Sequence, residues 1–236
     1  MTLEWTLDPI TANAARQYPL PLRRRTPALQ YPGHTFHASG WRKRVLHDDQ
    51  FPDDTLICSP FEIIKQFRLE HDLVGLALVV SWGGMARTSP HIYGRHSRQQ
   101  IRTALAKCRN SIERTSRIDH AWHTLTVDLD WSAVISSKTL HFLCRSIGCD
   151  TNPPVAIDNA VILRRVWPAF KQRLPEDLSS ELGGWSGKSF DGYRRYMTVV
   201  LEWARERGWK TTEVETTLFA EYGQFRTSGS TRRQRG

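Results

Sequence analysis

Two residues in the middle of the chain have the types and the spacing needed for nucleophilic chemistry. Lys138 lies in the segment SKTLHFL, shortly after a serine, and Asp158 follows 20 residues later in NPPVAIDNAV. An ammonium group is disfavoured at the positive end of a helix dipole, so we expect the pKa of Lys138 to fall. A neutral lysine amine can act as a nucleophile in Schiff-base chemistry. The alternative is that Lys138 extends into solvent and has no chemical role.

Asp158 follows a proline-containing connector and stands at the mouth of the next predicted helix. An aspartate at a helix N-cap accepts hydrogen bonds from backbone amides, and these favour its ionised form. It could act only as a cap, or as a fixed carboxylate that stabilises a positive charge or orients a nucleophile.

Phe142 lies one helical turn after Lys138 on the same face, so its ring could stack beside the amine or belong to the core with Leu140 and Leu143.

These residues depend on helices that the sequence predicts from capping and periodicity. Ser59 and Pro60, with Glu62 three residues after the serine, form a capping box that starts a helix or helix pair ending near Gly83-Gly84. Further helices are predicted to start near Ser97, at Ser136 or Ser137, at Asp158, at Ser189 and near Thr212, with stops at Gly148, Pro168 and Gly208. With about seven helices and few strand signals, the fold class is mostly α.

The chain divides into three parts by composition. Residues 1–57 are rich in proline, arginine and aromatic residues and predict an irregular N-terminal arm that packs on the body. Residues 58–225 predict a helical domain, and residues 226–236 a basic disordered tail. Trp82 and Trp185 stand beside glycine-rich turns, where they could line a pocket, although most of the nine tryptophans should belong to the core.

Positive charge is concentrated in one window of the sequence. The formal net charge is +9, and residues 85–118 contain eight basic residues, among them Arg87, against one acidic residue. Arg98, Arg102 and Arg109 fall within about 40° of one another on a helix. They could form a solvated helix face, or a surface that contacts phosphates together with Arg23, Arg24, Arg25 and the basic tail.

Several classes of protein find no support in the sequence. The cysteines, which we expect to be reduced, have no zinc or iron–sulfur spacing: Cys58, Cys108, Cys144 and Cys149. No metal-hydrolase or nucleotide-binding motif occurs, so we expect neither a metal nor a cofactor. The longest apolar run has eight residues, too few to cross a membrane. With no export signal, we expect a cytoplasmic protein.

The segment around Lys138 and Asp158 resembles the catalytic segment of the helix–hairpin–helix DNA glycosylases. SKTLHFL followed by NPPVAIDNAV is similar in particular to the 8-oxoguanine DNA glycosylases of the OGG fold. The likeness covers about 35 residues strongly and the surrounding order of helices loosely. It departs from the family before the lysine, where Val134, Ile135, Ser136 and Ser137 replace a glycine-containing hairpin.

This resemblance implies a helix–hairpin–helix glycosylase-like fold and a set of roles. Lys138 would attack C1′ of the modified nucleotide, and Asp158 would support the developing positive charge. The resemblance is carried over to these two residues only. From their positions, Phe142 and Trp82 would contact the extruded base. Ser136 and Ser137, at a helix start, and the basic residues Arg98, Arg102 and Arg109 would contact the DNA backbone.

The sequence therefore predicts a monomeric DNA glycosylase with AP-lyase activity that acts on double-stranded DNA containing 8-oxoguanine or another modified base. It would be associated with the nucleoid and would need no cofactor. The alternative is a non-catalytic DNA-binding protein that retains the glycosylase fold. An RNA-binding domain is a third hypothesis, but the sequence contains no aromatic RNA-binding strand.

Overall fold

The structure is a computed structural model that describes residues 3, 5–22, 34–36, 56–83, 92–149, 152–183 and 188–222. Several features singled out in the sequence lie outside these ranges: Arg23, Arg24, Arg25, Gly84, Arg87, Trp185 and the basic tail.

The described chain is mostly helical, as predicted. Its α-helices are α1 (Pro9–Gln17), α2 (Pro60–Arg68), α3 (Asp72–Trp82), α4 (Arg98–Thr115), α5 (Ile118–His123), α6 (Ala133–Ser146), α7 (Trp167–Lys171), α8 (Glu176–Glu181), α9 (Phe190–Arg207) and α10 (Thr211–Tyr222). Thr124–Asp128 continues α5, and Asn159–Val166 leads into α7, both as π-helix. In the described residues, strands β1 (His34–Phe36) and β2 (Leu56–Cys58) form one antiparallel pair, with Thr35 opposite Ile57.

Local hydrogen bonds explain why several helices begin where the sequence predicts. The hydroxyl of Ser59 accepts from the amide of Glu62 at 3.2 Å and starts α2. Ser97 starts α4 with a complete capping box, in which Gln100 bonds back to the amide of Ser97. Helix α9 ends at Gly208, whose φ of +63° glycine adopts readily. The predicted bounds of these helices are therefore confirmed to within a residue or two.

Two predicted helix limits are wrong. Helix α6 begins at Ala133 after Ser132, so Ser136 and Ser137 lie inside it and are fully buried. A serine can occupy a helix interior when its hydroxyl bonds to a preceding carbonyl, and Ser137 Oγ donates to Val134 O at 3.1 Å. Pro168 does not limit the helix after Asp158 either, because it lies in the first turn of α7, where its missing N–H is tolerated.

The centre of the core is α3, which is apolar on every side. Residues 72–80 of this helix are all buried, and α2, α4 and α6 pack around it. Gly75 permits the close approach of α2, since a Cβ at this position would lie 3.0 Å from the ring of Phe67. No helix in the described part of the chain is both long and apolar enough to span a membrane. The four cysteines are buried and unbridged.

The N-terminal part is more regular than predicted, because it contains α1. This helix packs on α9 through Ala14 and Ala15, both fully buried. Trp203 Nε1 donates to Ala15 O at 3.1 Å, and the amide of Asp8 donates to Thr198 Oγ1 at 3.1 Å. The helix has only nine residues and its buried face is mainly alanine, so it gives a weak hydrophobic signal, which is why the sequence did not reveal it.

Arg109 does not belong to an open phosphate-binding face. Its guanidinium pairs with Asp72 at 2.7 Å and donates to Phe67 O at 3.2 Å, and both charged side chains are largely buried. Burial raises the pKa of Asp72, and the hydrogen bond and charge of Arg109 oppose that rise. The predicted contact of Arg109 with a DNA backbone is therefore wrong, and its role is to join α4 to α3.

We expect Arg109→Ala to lower the free energy of unfolding by about 3 kcal/mol, because Asp72 would stay buried without its partner. Urea denaturation would measure the loss. Arg114→Ala, an exposed position on the same helix, is the control and should change stability by less than about 0.5 kcal/mol. Equal effects of the two variants would contradict a buried ion pair at Arg109.

Candidate active site

One pocket collects the residues that the sequence singled out for chemistry. It has a volume of about 170 Å³ and lies between the end of α3, α6, the connector before Asp158, and α10. A cavity of about 150 Å³ accommodates a benzene ring, so this pocket has the scale of an aromatic ring. Its lining residues are Pro60, Trp82, Gly83, Lys138, His141, Phe142, Arg145, Ala156, Asp158, Thr212, Glu215, Thr216 and Phe219.

Lys138 is a buried amine in the wall of the pocket. It is only 4% exposed, and its Nζ lies 5.6 Å from the centroid of the Trp82 ring. Burial lowers the pKa of Lys138, while the charges of Asp158 and Glu215 oppose the decrease. The direction agrees with the sequence prediction, but the cause differs. Lys138 lies in the second turn of α6 rather than the first, so the loss of solvation dominates.

Asp158 is held by backbone hydrogen bonds with one oxygen turned towards the lysine. Its Oδ1 accepts from the amides of Ala160 at 2.8 Å and Val161 at 2.9 Å, which confirms the predicted N-cap. Its Oδ2 lies 3.8 Å from Lys138 Nζ. The cap therefore fixes the carboxylate in the orientation that places it beside the amine.

The connector before Asp158 is attached to α6 by Ser137. The amide of Ile157 donates to Ser137 Oγ at 2.9 Å, although 20 residues separate them in the chain. Val155 and Ile157 are fully buried at this crossing. The predicted contacts of Ser136 and Ser137 with a DNA phosphate are wrong, because both side chains lie inside the protein.

Aromatic rings form one wall of the pocket. Phe142 is fully buried and meets Trp82 edge to face, with centroids 5.1 Å apart and planes at 88°. The sequence placed Phe142 one helical turn from Lys138, and the structure brings Trp82 to the same pocket. A role of either residue in base binding stays a prediction. Phe219 on α10 also lines the pocket and was not singled out. An aromatic position on a separate helix gives no local signal that relates it to Lys138.

Two basic residues of α6 were also missed. Arg145 lines the pocket together with His141, whose Nδ1 donates to Pro154 O at 2.7 Å. Burial, with a smaller contribution from the charge of Arg145, lowers the pKa of His141 to about 4. His141 is therefore neutral at neutral pH, and its hydrogen bond adds a second attachment between α6 and the connector.

Glu215 is the second carboxyl group of the site, and the sequence did not single it out. The residue is half-buried and lines the pocket, and its carboxyl group is enclosed by protein. This enclosure raises the pKa of Glu215 to about 8, against the charges of Lys138 and Arg145 and a hydrogen bond from the amide of Ala156. In the segment TTEVETTLF nothing distinguishes Glu215 from Glu213.

Arg98 and Arg102 lie apart from this pocket. Arg98 is exposed and Arg102 half-buried on α4, where they line a shallow depression with Tyr93 and His96. Their predicted contacts with the DNA backbone stay a prediction. Among the described residues, no group of three or more His, Cys, Asp or Glu side chains is placed to hold a metal ion.

Comparison with known protein families identifies the chain. Residues 66–219 match the family described as "Putative 8-oxoguanine DNA glycosylase OGG-like protein". The match covers more than half of the chain, and the protein therefore belongs to this OGG-like DNA glycosylase family. The matched region contains Lys138, Asp158 and Glu215, and it confirms the resemblance seen in the sequence. Neither the curated proteins nor the solved structures contain a significant match.

We expect the pKa of Lys138 to lie below that of a free lysine side chain, and Asp158→Asn to lower it further because a stabilising negative charge is removed. NMR titration of the reductively ¹³C-methylated protein would measure both values, with the resonance assigned from Lys138→Gln. Asp128→Asn is the control, because Asp128 pairs with exposed Lys107 at the same 3.8 Å distance. An increase in the pKa on Asp158→Asn would contradict the arrangement.

Proposed function

We propose that the protein is a DNA glycosylase with AP-lyase activity, which extrudes a modified base from duplex DNA and excises it with Lys138 as nucleophile. The observation that carries this proposal is the buried Lys138 amine, 3.8 Å from the capped carboxylate of Asp158 in an aromatic-walled pocket. All of the pocket's lining residues except Pro60 lie within the part of the chain that matches the OGG-like family. Low solvation favours the neutral amine, which is the nucleophilic form.

The proposed reaction begins when neutral Lys138 Nζ attacks C1′ of the extruded nucleotide. The C1′–N bond to the base breaks, and its electron pair leaves with the base. Asp158 faces the region where positive charge develops on the sugar and Lys138 nitrogen, so its fixed carboxylate stabilises that charge. The nitrogen loses a proton and the C1′–O4′ bond breaks, with a proton added to O4′, which opens the sugar ring and gives a Schiff base. Loss of a proton from C2′ to water then expels the 3′ phosphate and cleaves the strand.

The extruded base is proposed to lie against Phe142 and Trp82. Extruded bases commonly stack on aromatic side chains, and these two rings adjoin the lysine. The base is 8-oxoguanine or another modified base.

We further propose that the enzyme acts as a monomer on nucleoid DNA in the cytoplasm, with Arg98 and Arg102 contacting the phosphate backbone.

The covalent mechanism can be tested by borohydride trapping on a labelled duplex that contains 8-oxoguanine. We expect a covalent adduct with the natural protein, none with Lys138→Gln, and none on an undamaged duplex. Asp158→Asn should retain the helix cap but slow base release about 100-fold, because it removes the fixed negative charge. Thermal unfolding of each variant controls for loss of folding.

A preformed abasic-site duplex and a panel of other modified bases complete this test. Adducts on the abasic site but not on 8-oxoguanine would retain the lysine chemistry and exclude 8-oxoguanine, and the panel would then identify the base. If no substrate forms a Lys138-dependent adduct while DNA still binds, the protein is the non-catalytic DNA-binding alternative.

The proposed backbone contacts predict a change in the salt dependence of DNA binding. Replacing both Arg98 and Arg102 by glutamine should make the plot of log affinity against log salt shallower by about 2, because two phosphate contacts are lost. Fluorescence anisotropy on an undamaged duplex would measure the slopes. Arg114→Gln, on the opposite side of α4, is the control, and an unchanged slope in the double variant would refute these contacts.

A further inference from the structure

Two carboxyl groups line the same pocket in contrasting surroundings. Asp158 accepts hydrogen bonds from two backbone amides at a helix start, and its other oxygen lies 3.8 Å from the Lys138 amine. Glu215 comes from a different element, α10, and its surroundings supply one backbone hydrogen bond, from the amide of Ala156. Carboxyl groups that share a site in such different environments characteristically take opposite acid–base roles.

The charged and titratable groups around Glu215 come from two helices. Lys138 and Arg145 on α6 contribute positive charge, and Tyr193 and Tyr196 on α9 are buried phenols affected by the charge of Glu215. The two cations favour ionisation of Glu215, but the enclosure of the carboxyl group outweighs them and raises its pKa to about 8. At neutral pH, Glu215 is therefore mainly the neutral acid and holds a proton inside the pocket.

We propose that Glu215 is the general acid that protonates the departing base. The inference rests on the proposed glycosylase function and adds a catalytic group to it. Glu215 lines the same pocket as Phe142, against which the extruded base would lie, whereas Asp158 lies 3.8 Å from Lys138 Nζ. We therefore assign the acid to the leaving base and Asp158 to the sugar and the lysine. Glycoside hydrolysis likewise uses two carboxyl groups with different roles, one of which donates a proton to the leaving group.

Protons and electrons balance in this step. The O–H bond of Glu215 breaks as a bond forms between that proton and a ring nitrogen or exocyclic oxygen of the base. The electron pair of the C1′–N bond leaves with the base, and Lys138 Nζ forms its bond to C1′. The attacking nitrogen then carries a positive charge and returns one proton to the Glu215 carboxylate. The acid is thus restored, and the base leaves as a neutral molecule.

This assignment limits the class of substrate. A neutral modified base is a poor leaving group until it receives a proton, so it needs Glu215. A base that already carries a fixed positive charge leaves without protonation, and its release should depend little on Glu215. The pocket is therefore suited to neutral oxidised or otherwise modified bases, of which 8-oxoguanine is one.

The experiment separates base release from Schiff-base formation. Single-turnover release from an 8-oxoguanine duplex requires a leaving base, whereas borohydride trapping on a preformed abasic-site duplex requires Lys138 alone. We expect Glu215→Gln to slow base release about 100-fold, a typical contribution of general acid catalysis, and to leave trapping on the abasic site within about 2-fold. Glu221→Gln, an exposed position on the same helix, is the matched control.

The pH profile supplies a second readout. Glu215 is protonated below its pKa, so base release by the natural protein should fall as the pH rises through about 8. This falling limb should be missing from Glu215→Gln and from abasic-site trapping by the natural protein. Loss of trapping to the same extent as base release would overturn the proposal, since Glu215 would then act through Lys138 or the fold.

The remaining outcomes distinguish the two proposals. If the natural protein traps abasic DNA and releases base while Glu215→Gln behaves like it, the general acid role is refuted and the glycosylase function stands. If the natural protein forms no Lys138-dependent adduct on either duplex, the glycosylase function itself fails, and the role of Glu215 fails with it.

Discussion

The arrangement of the pocket depends on one hydrogen bond, from the amide of Ile157 to the hydroxyl of Ser137. It holds an extended connector against the helix that carries Lys138, so that the following residue, Asp158, reaches the lysine. A buried amide must find a partner, and Ser137 supplies it from inside a helix where serine is otherwise a poor choice. The neighbouring bond from His141 to Pro154 O extends the attachment by a helical turn. These two hydrogen bonds thus hold Lys138 and Asp158, which are 20 residues apart in the chain, at a fixed distance in the structure.

The same contacts explain why a charged cluster can be buried here. Lys138 and Arg145 provide two basic side chains, and Asp158 and Glu215 provide two carboxyl groups at the same pocket. Burial lowers the pKa of Lys138 and raises that of Glu215, so both groups are sensitive to the charges of their neighbours. The aromatic rings of Trp82 and Phe142 add an apolar surface that keeps the dielectric low. The pocket combines a site for a flat ring with groups that move protons.

Much of this site could be predicted because several of its residues lie close together in the sequence. Lys138 and Phe142 are one helical turn apart, and the Asp158 cap follows from a proline connector and a helix start. The sequence could not reveal Glu215 or Phe219, because α10 reaches the pocket only through tertiary packing on α9 and the π-helical segment. Arg109 and Ser137 were misread for a related reason: their residue types suggest surface roles, and only the packed structure shows that their polar atoms have internal partners. The helix α1 was missed because alanines carry little periodic signal.

The docking of α1 on α9 has a consequence for the synthesis of the protein. The bonds from Asp8 to Thr198 and from Trp203 to Ala15 join residues 190 and 188 positions apart. At roughly 5–20 residues per second of translation, α1 waits about 10–40 s before its partner helix has been made. Its buried face consists mainly of alanines, which expose little apolar surface during that delay. Helix α9 also packs against α10, which lines the pocket. The docking of α1 on α9 and the completion of the pocket therefore belong to the last stage of folding.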